Sequence, residues 1–168
     1  NGFAHADGKF HFKADWTSSW ASRFGPEGFA KTMPSLPDHW DVIEQTSVEM
    51  PFRLVTAPAR NFLNSTFNET NSSRKKESEP NVQIHSADAD ALSITNGDRV
   101  RLGNKRGTVV VKARLFDGTG KGVVIVEGLW PNDAFEEGVG INALTGDDPT
   151  APVGGAPFHD NAIWIRKI

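Results

Sequence analysis

From Met50 onward the apolar positions fall into short β-branched runs, each stopped by Gly, Asn or Asp. That grammar predicts strands over residues 52–56, 81–85, 99–102, 108–115, 122–127 and 162–167. Helix signals are few. Ser86 is placed to cap a short helix over 87–92, with Asp88 and Asp90 near its positive start. Asn96-Gly97-Asp98 then turns the chain into the next strand, and Asn104-Lys105-Arg106-Gly107 joins two strands as a hairpin, because Asn and Gly tolerate the positive φ of tight turns. Residues 1–50 follow another pattern. They carry Phe3, Phe10, Phe12, Trp16, Trp20, Phe24, Phe29 and Trp40, are broken by Pro26, Pro34 and Pro37, and show no period beyond the alternation Lys9-Phe10-His11-Phe12-Lys13, which predicts an edge strand. This aromatic-rich lead-in is expected to pack over something. Residues 64–80 are mostly polar and predict a mobile loop, while 128–161 are rich in Gly and Pro. Long irregular stretches in a β domain often bind something, so both are functional suspects.

The expected division is therefore an irregular lead-in over 1–50 and a mainly β domain over 51–168, with short helices and long irregular loops. A chain of 168 residues is long enough for one real core. Its net charge of −3, with no basic run longer than Arg74-Lys75-Lys76, lacks the footprint of a nucleic-acid binder. No apolar run approaches the ~20 residues of a membrane helix. No charged-then-apolar leader is visible either, so the expectation is a soluble protein without membrane insertion, in the cytoplasm. The absence of Cys rules out disulfides, thiolate metal ligands and a thiol nucleophile within these residues. The first residue is Asn1, not Met, which suggests a piece of a longer protein.

Several patterns that look catalytic lack the context the chemistry needs. Gly118-Thr119-Gly120-Lys121-Gly122 suggests a phosphate loop, but a Walker loop needs Gly five residues before Gly120, where Leu115 stands, and the run feeds a strand instead of a helix. Asp117-Gly118-Thr119-Gly120 has one Gly too many for an aspartic protease. The five histidines, His5, His11, His39, His85 and His159, share no metal-site spacing. No Ser occupies a nucleophile elbow. Acceptor triplets for glycosylation at Asn64, Asn68 and Asn71 are what a Ser/Asn-rich loop produces by chance.

Larger blocks are more informative. Residues 82–100 run strand, short helix, Asn-Gly-Asp turn and strand, ending in Asn104-Lys105-Arg106-Gly107-Thr108-Val109. This block resembles the C-terminal domain of molybdopterin-dinucleotide oxidoreductases, the group typified by dimethyl sulfoxide reductases, formate dehydrogenases and nitrate reductases. The stretch from Phe52 to Ser65 looks like that family's opening strand and loop. Asn142-Ala143-Leu144-Thr145 with Asp147-Asp148-Pro149, then Ala156-Pro157-Phe158-His159-Asp160-Asn161, is similar to its closing segment, and Gly8-Lys9-Phe10-His11-Phe12 to its lead-in. The resemblance covers residues 50–168 well and 1–50 loosely.

The resemblance implies a six-stranded double-psi β-barrel that closes over a molybdopterin guanine dinucleotide, carrying molybdenum or tungsten and bound jointly with the remaining domains of a parent oxidoreductase. The metal ligand and iron–sulfur cysteines would belong to those domains, so the chain alone is not expected to be catalytic. Carried over by residue, Thr56, Ala57 and Arg60 would face the cofactor at the end of the first strand, with Asn64 and Ser65 beside them. Asn142 looks like the family's cofactor-contacting Asn, His159, Asp160 and Asn161 would line the same edge, and Trp130 is a further candidate. A pyrophosphate and a pterin–guanine pair need N–H donors, a cation, amides and hydroxyls, which these residues supply. One departure stands out: the family's frequent Thr-Gly-Arg is here Thr56-Ala57-Pro58-Ala59-Arg60. The block over 82–100 also resembles a double-psi barrel of another class, the substrate-recruiting N-terminal domain of certain AAA ATPases, because the turn chemistry serves the barrel and not the ligand. Leu63-Asn64-Ser65, Asn142-Ala143-Leu144-Thr145 and Phe158-His159-Asp160-Asn161 have no duty in a bare barrel and favour the cofactor. A self-processing decarboxylase on this barrel would need a cleavage motif, and none is evident.

Overall fold

A computed structural model describes residues 2–17, 28–39 and 41–168; Asn1, Trp20, Phe24, Pro26 and Trp40 lie outside the described residues. The chain divides into two compact units, Asn1–Ile43 with Asp147–Pro157, and Glu44–Gly146 with Phe158–Ile168.

The first unit contains a single-turn helix, α1 (Phe29–Thr32). The strand expected over 9–13 does not form. The segment instead folds on itself: Phe3 N donates to Gly8 O (3.1 Å) and the Asp7 carboxylate accepts from Lys9 N (3.0 Å). The Phe10 ring meets Phe3 and Phe12 edge-on at 5.3 and 4.8 Å, and the His5 and His11 rings stack at 4.0 Å. An alternating stretch becomes a strand only when a neighbour takes up its backbone groups; here local side chains satisfy them.

The second unit is a closed barrel built from β1 (Phe52–Val55), β2 (Asn81–Ile84), β3 (Arg99–Gly103), β4 (Thr108–Leu115), β5 (Val123–Val126) and β6 (Asn161–Lys167), in the order β1-β5-β2-β4-β3-β6. This is the mainly β architecture that the strand pattern predicts, closed into the six-stranded barrel that the family resemblance implies. Strand ends shift by one residue: Thr56, His85, Gly122 and Glu127 leave the strands, while Gly103 and Asn161 join them. Pairing is parallel for β1·β5 and β2·β4 and antiparallel for every other neighbour. Exchanging β1, β2, β3 with β4, β5, β6 leaves this pairing list unchanged, so the barrel consists of two interlocked three-stranded halves, as the double-psi arrangement requires. Closure removes every open strand edge. The inward residues Leu54, Val82, Ile84, Val100, Leu102, Val109, Val124, Val126 and Ile163 are fully buried and fill the interior. The β-branched runs are thus the residues that line a narrow barrel.

Local corrections concern helices. The loop expected over 64–80 contains α2 (Asn71–Glu77), whose end is held by the Glu77 carboxylate accepting from Asn61 N (2.6 Å) and Asn61 Nδ2 (2.7 Å). The predicted helix after β2 is α3 (Ser86–Ala91), but its cap is His85, whose Nδ1 accepts from Ala87 N (3.1 Å), and not Ser86. Among the described residues no helix is long and apolar enough to cross a membrane.

The turn before β3 and the end of β6 are joined through Asp98. Its carboxylate accepts from Lys167 Nζ (2.6 Å) and from Thr95 N (2.6 Å) and Thr95 Oγ1 (2.8 Å). The Lys167 ammonium, followed by the Thr95 donors, lowers the Asp98 carboxyl from 3.8 to about 2. A depressed carboxyl stabilises the fold above its unfolded value and loses that contribution as pH falls through its folded value. The urea midpoint of the chain is therefore expected to drop between pH 3.8 and about 2, and Asp98→Asn to flatten that slope. An acid profile left unchanged by Asp98→Asn would show that the clamp contributes nothing.

Candidate functional site

Strand directions decide which loops meet. β5 runs parallel to β1, and β6 runs against β1 with Leu54 opposite Asn161, so the ends of β1 and β5 and the start of β6 share one rim. β2 opposes β5, β4 parallels β2 and β3 opposes β4. The start of β2 and the β3–β4 hairpin therefore lie on the same rim. Every candidate residue from the sequence sits in a connection entering or leaving it. Thr56, Ala57, Arg60, Asn64 and Ser65 follow β1; Trp130 and Asn142 follow β5; His159 and Asp160 lead into Asn161, the first residue of β6.

Specific contacts tie these connections together. The chain leaving β1 docks on the chain leaving β5: Gly128 N donates to Ala57 O (2.8 Å), and the buried Phe62 ring packs edge-on against Trp130 at 5.1 Å. Trp130 Nε1 donates to Glu127 O (3.1 Å), and the buried Asn68 amide donates to Leu129 O (2.9 Å). Gly128 has φ +81, and a Cβ there would lie 2.6 Å from the Phe62 ring, so only glycine permits this approach. The chain entering β6 docks on β1 through Thr56 Oγ1, which donates to Phe158 O (3.2 Å). Asn161 Nδ2 donates to the same carbonyl (2.7 Å), and its Oδ1 accepts from Gly146 N (2.8 Å). Asp160 faces Arg53 as an ion pair at 3.7 Å, longer than a hydrogen bond.

The candidates thus separate by duty. Trp130 and Asn161 are buried and spend their polar atoms internally, and Thr56 spends its hydroxyl proton on Phe158. Arg60, Asn64, Ser65, Asn142 and His159 are exposed, and their side chains make no hydrogen bond to the described residues. Asn64 is held at φ 46, in a turn closed by Leu63 N to Thr66 O (3.0 Å) and Thr66 N to Leu63 O (2.6 Å). The rim therefore presents a guanidinium, amides, a hydroxyl and an imidazole on backbone that its neighbours fix.

Sequence reasoning missed the residues that fix one part of this rim. A single turn of 3₁₀ helix, η1 (Ile141–Leu144), carries Asn142, and its Leu144 carbonyl accepts from Asn104 Nδ2 (2.8 Å), Arg106 Nε (3.0 Å) and Arg106 Nη2 (2.9 Å). Arg106 Nη2 also reaches Glu44 Oε2 (2.7 Å) and Asn161 Oδ1 (3.3 Å). The only signal was a cation in a tight hairpin, which reads as turn chemistry.

The opposite rim accounts for the discarded motifs. Asp117 Oδ1 accepts from Ser86 N (3.0 Å) and Asp88 Oδ2 from Gly122 N (2.7 Å), so the Asp117–Gly122 run is a turn pinned to α3. The block over 82–100 that carries the resemblance therefore builds the barrel away from the candidate residues.

The model of the molydopterin dinucleotide binding domain matches residues 52–163, from the first residue of β1 into β6. The chain belongs to this family. All the candidate residues, and Arg106, fall within the matched span. The chain is 35% identical over 135 residues to the protein described as "Probable oxidoreductase YoaE" of Bacillus subtilis, covering 80% of this chain and 19% of that one. It is 37% identical over 89 residues to dimethyl sulfoxide reductase DmsA of Escherichia coli, covering 51% of this chain and 11% of that one. The fold matches acetylene hydratase from Pelobacter acetylenicus with a TM-score of 0.71 at 17% identity, over 99% of this chain and 24% of that chain. The chain thus spans a fifth or less of the length of these two curated relatives. For a molybdopterin dinucleotide-binding domain the exposed rim is chemically apt: its free donors and cation match a pyrophosphate and heterocycles rich in acceptors and donors.

Proposed function

We propose that this chain is the C-terminal part of a larger molybdenum or tungsten oxidoreductase, where it encloses one side of a molybdopterin guanine dinucleotide held jointly with the remaining domains. The observation that carries this reading is the gathering of Arg60, Asn64, Ser65, Asn142 and His159, exposed and internally unbonded, on one barrel rim. Arg60 would meet the pyrophosphate as a cation, while the Asn64 and Asn142 amides, the Ser65 hydroxyl and His159 would donate to or accept from the pterin and guanine edges. Thr56, Trp130 and Asn161 would act beneath them by holding the loops. When bound, the group would supply redox chemistry at its metal. This chain's residues orient it and exclude water from one face.

GDP carries the guanine and pyrophosphate end of such a cofactor, and ADP serves as its control. In a titration of the labelled chain, amide shifts are expected at residues 56–65, 142–146 and 158–161, stronger with GDP than with ADP. Shifts spread evenly over both rims, or none at millimolar nucleotide, would count against the cofactor reading and favour a barrel used as a protein-interaction module.

A further inference from the structure

We infer that Arg106 is a positioning residue of the cofactor rim, fixing the turn that presents Asn142; this rests on the proposed function above. The hairpin that carries Arg106 does not need its side chain. Asn104 N donates to Gly107 O (3.1 Å) and Arg106 N to Asn104 Oδ1 (2.9 Å), which close the turn through backbone and Asn104 alone. The guanidinium instead leaves the hairpin. Its Nε and Nη2 converge on the Leu144 carbonyl at 3.0 and 2.9 Å, and Nη2 also lies 3.3 Å from the Asn161 oxygen that accepts from Gly146 N. Leu144 ends η1, so both ends of the segment from Leu144 to Gly146 are anchored through this cluster.

Two features separate positioning from direct ligand binding. Glu44 pairs with Arg106 at 2.7 Å and both side chains are mostly buried, so the cation is already neutralised and offers little net charge to an anion. A Cβ at Gly146 would lie 3.6 Å from Arg106 Nη1 and 3.7 Å from Asn161 Oδ1, so the segment from Leu144 to Gly146 lies against the guanidinium. The planar fork meets Leu144 O through both Nε and Nη2, whereas an ammonium is a single point donor.

The test compares the unaltered chain with Arg106→Gln and Arg106→Lys, reading amide hydrogen exchange and the GDP titration. In Arg106→Gln the Thr145 and Gly146 amides are expected to exchange about tenfold faster, while amides of β1, β2 and β5 keep their protection. GDP half-saturation, read in the folded protein, is expected to rise about tenfold, with the response at 142–146 reduced and Arg106→Lys falling between. Should Arg106→Gln not fold, Arg106→Lys, which keeps a cation beside Glu44 but loses the paired donors to Leu144 O, carries the same comparison in milder form. Unchanged exchange at 145–146, or faster exchange with unaltered GDP affinity, would overturn the inference, because a purely structural arginine lowers stability without touching the affinity of the folded fraction. No GDP response from the unaltered chain would sink the cofactor reading and this inference's role for Arg106 with it. That outcome is separable from a response that the variants leave intact.

Discussion

Gly128→Ala is expected to lower the unfolding free energy by about 3 kcal/mol and to disturb the rim at the same time. Gly128 sits at φ +81, where an L side chain meets its own backbone, and the new methyl would stand 2.6 Å from the Phe62 ring and 3.0 Å from Ala59 Cβ. Neither neighbour can retreat freely. Phe62 is 2% exposed and wedged against Trp130, and Ala59 is 7% exposed. Because Gly128 N also holds Ala57 O, the displacement would propagate into the chain leaving β1. Urea unfolding gives the stability, and amide shifts at 56–65 give the local effect. A variant within about 0.5 kcal/mol of the parent would show that the two loops do not pack as tightly as the structure has them.

Asn161→Ala is expected to cost about 3 kcal/mol as well, for a different reason. At 1% exposure its amide satisfies Gly146 N through Oδ1 and Phe158 O through Nδ2. Alanine strands the Gly146 donor, weakens the hold on Phe158 O, and removes one acceptor from Arg106. Asn161→Asp retains the acceptor for Gly146 but cannot donate while ionised, so it should fall between alanine and the parent. The pair discriminates two duties. A residue that only touched ligand would leave the urea midpoint unchanged and reduce nucleotide binding alone, and that result would move Asn161 from loop support to cofactor contact.

The two helical features that local reading missed or misplaced show where it stops. α2 (Asn71–Glu77) has no buried residue and no apolar stripe, so its sequence carries no period to detect. Its contacts come from elsewhere, Asn61 on Glu77 and Arg74 Nε on Asn68 O (2.6 Å). α3 was visible because Ser-Ala-Asp-Ala-Asp-Ala is helix-permissive, yet its cap fell one residue earlier, since the His85 ring reaches Ala87 N as well as a hydroxyl would. The strand over 9–13 was the converse error, an alternation without a partner strand.

By itself the sequence determined the strands, the hairpin and the polar inventory, because β-branched runs, Asn-Gly turns and side-chain chemistry are local properties. It also carried the order of blocks from which the family resemblance follows. Only the tertiary structure decided that the connections following β1 and β5 and preceding β6 meet on one rim, since that depends on strand direction and barrel closure, which bring together residues distant in the chain. The same closure sorted chemically similar residues into different duties. Asn142 remains exposed while Asn161 is consumed inside, and Arg106 turns from its hairpin toward Leu144, because burial and hydrogen-bond partners are set by what the folded chain places beside each residue.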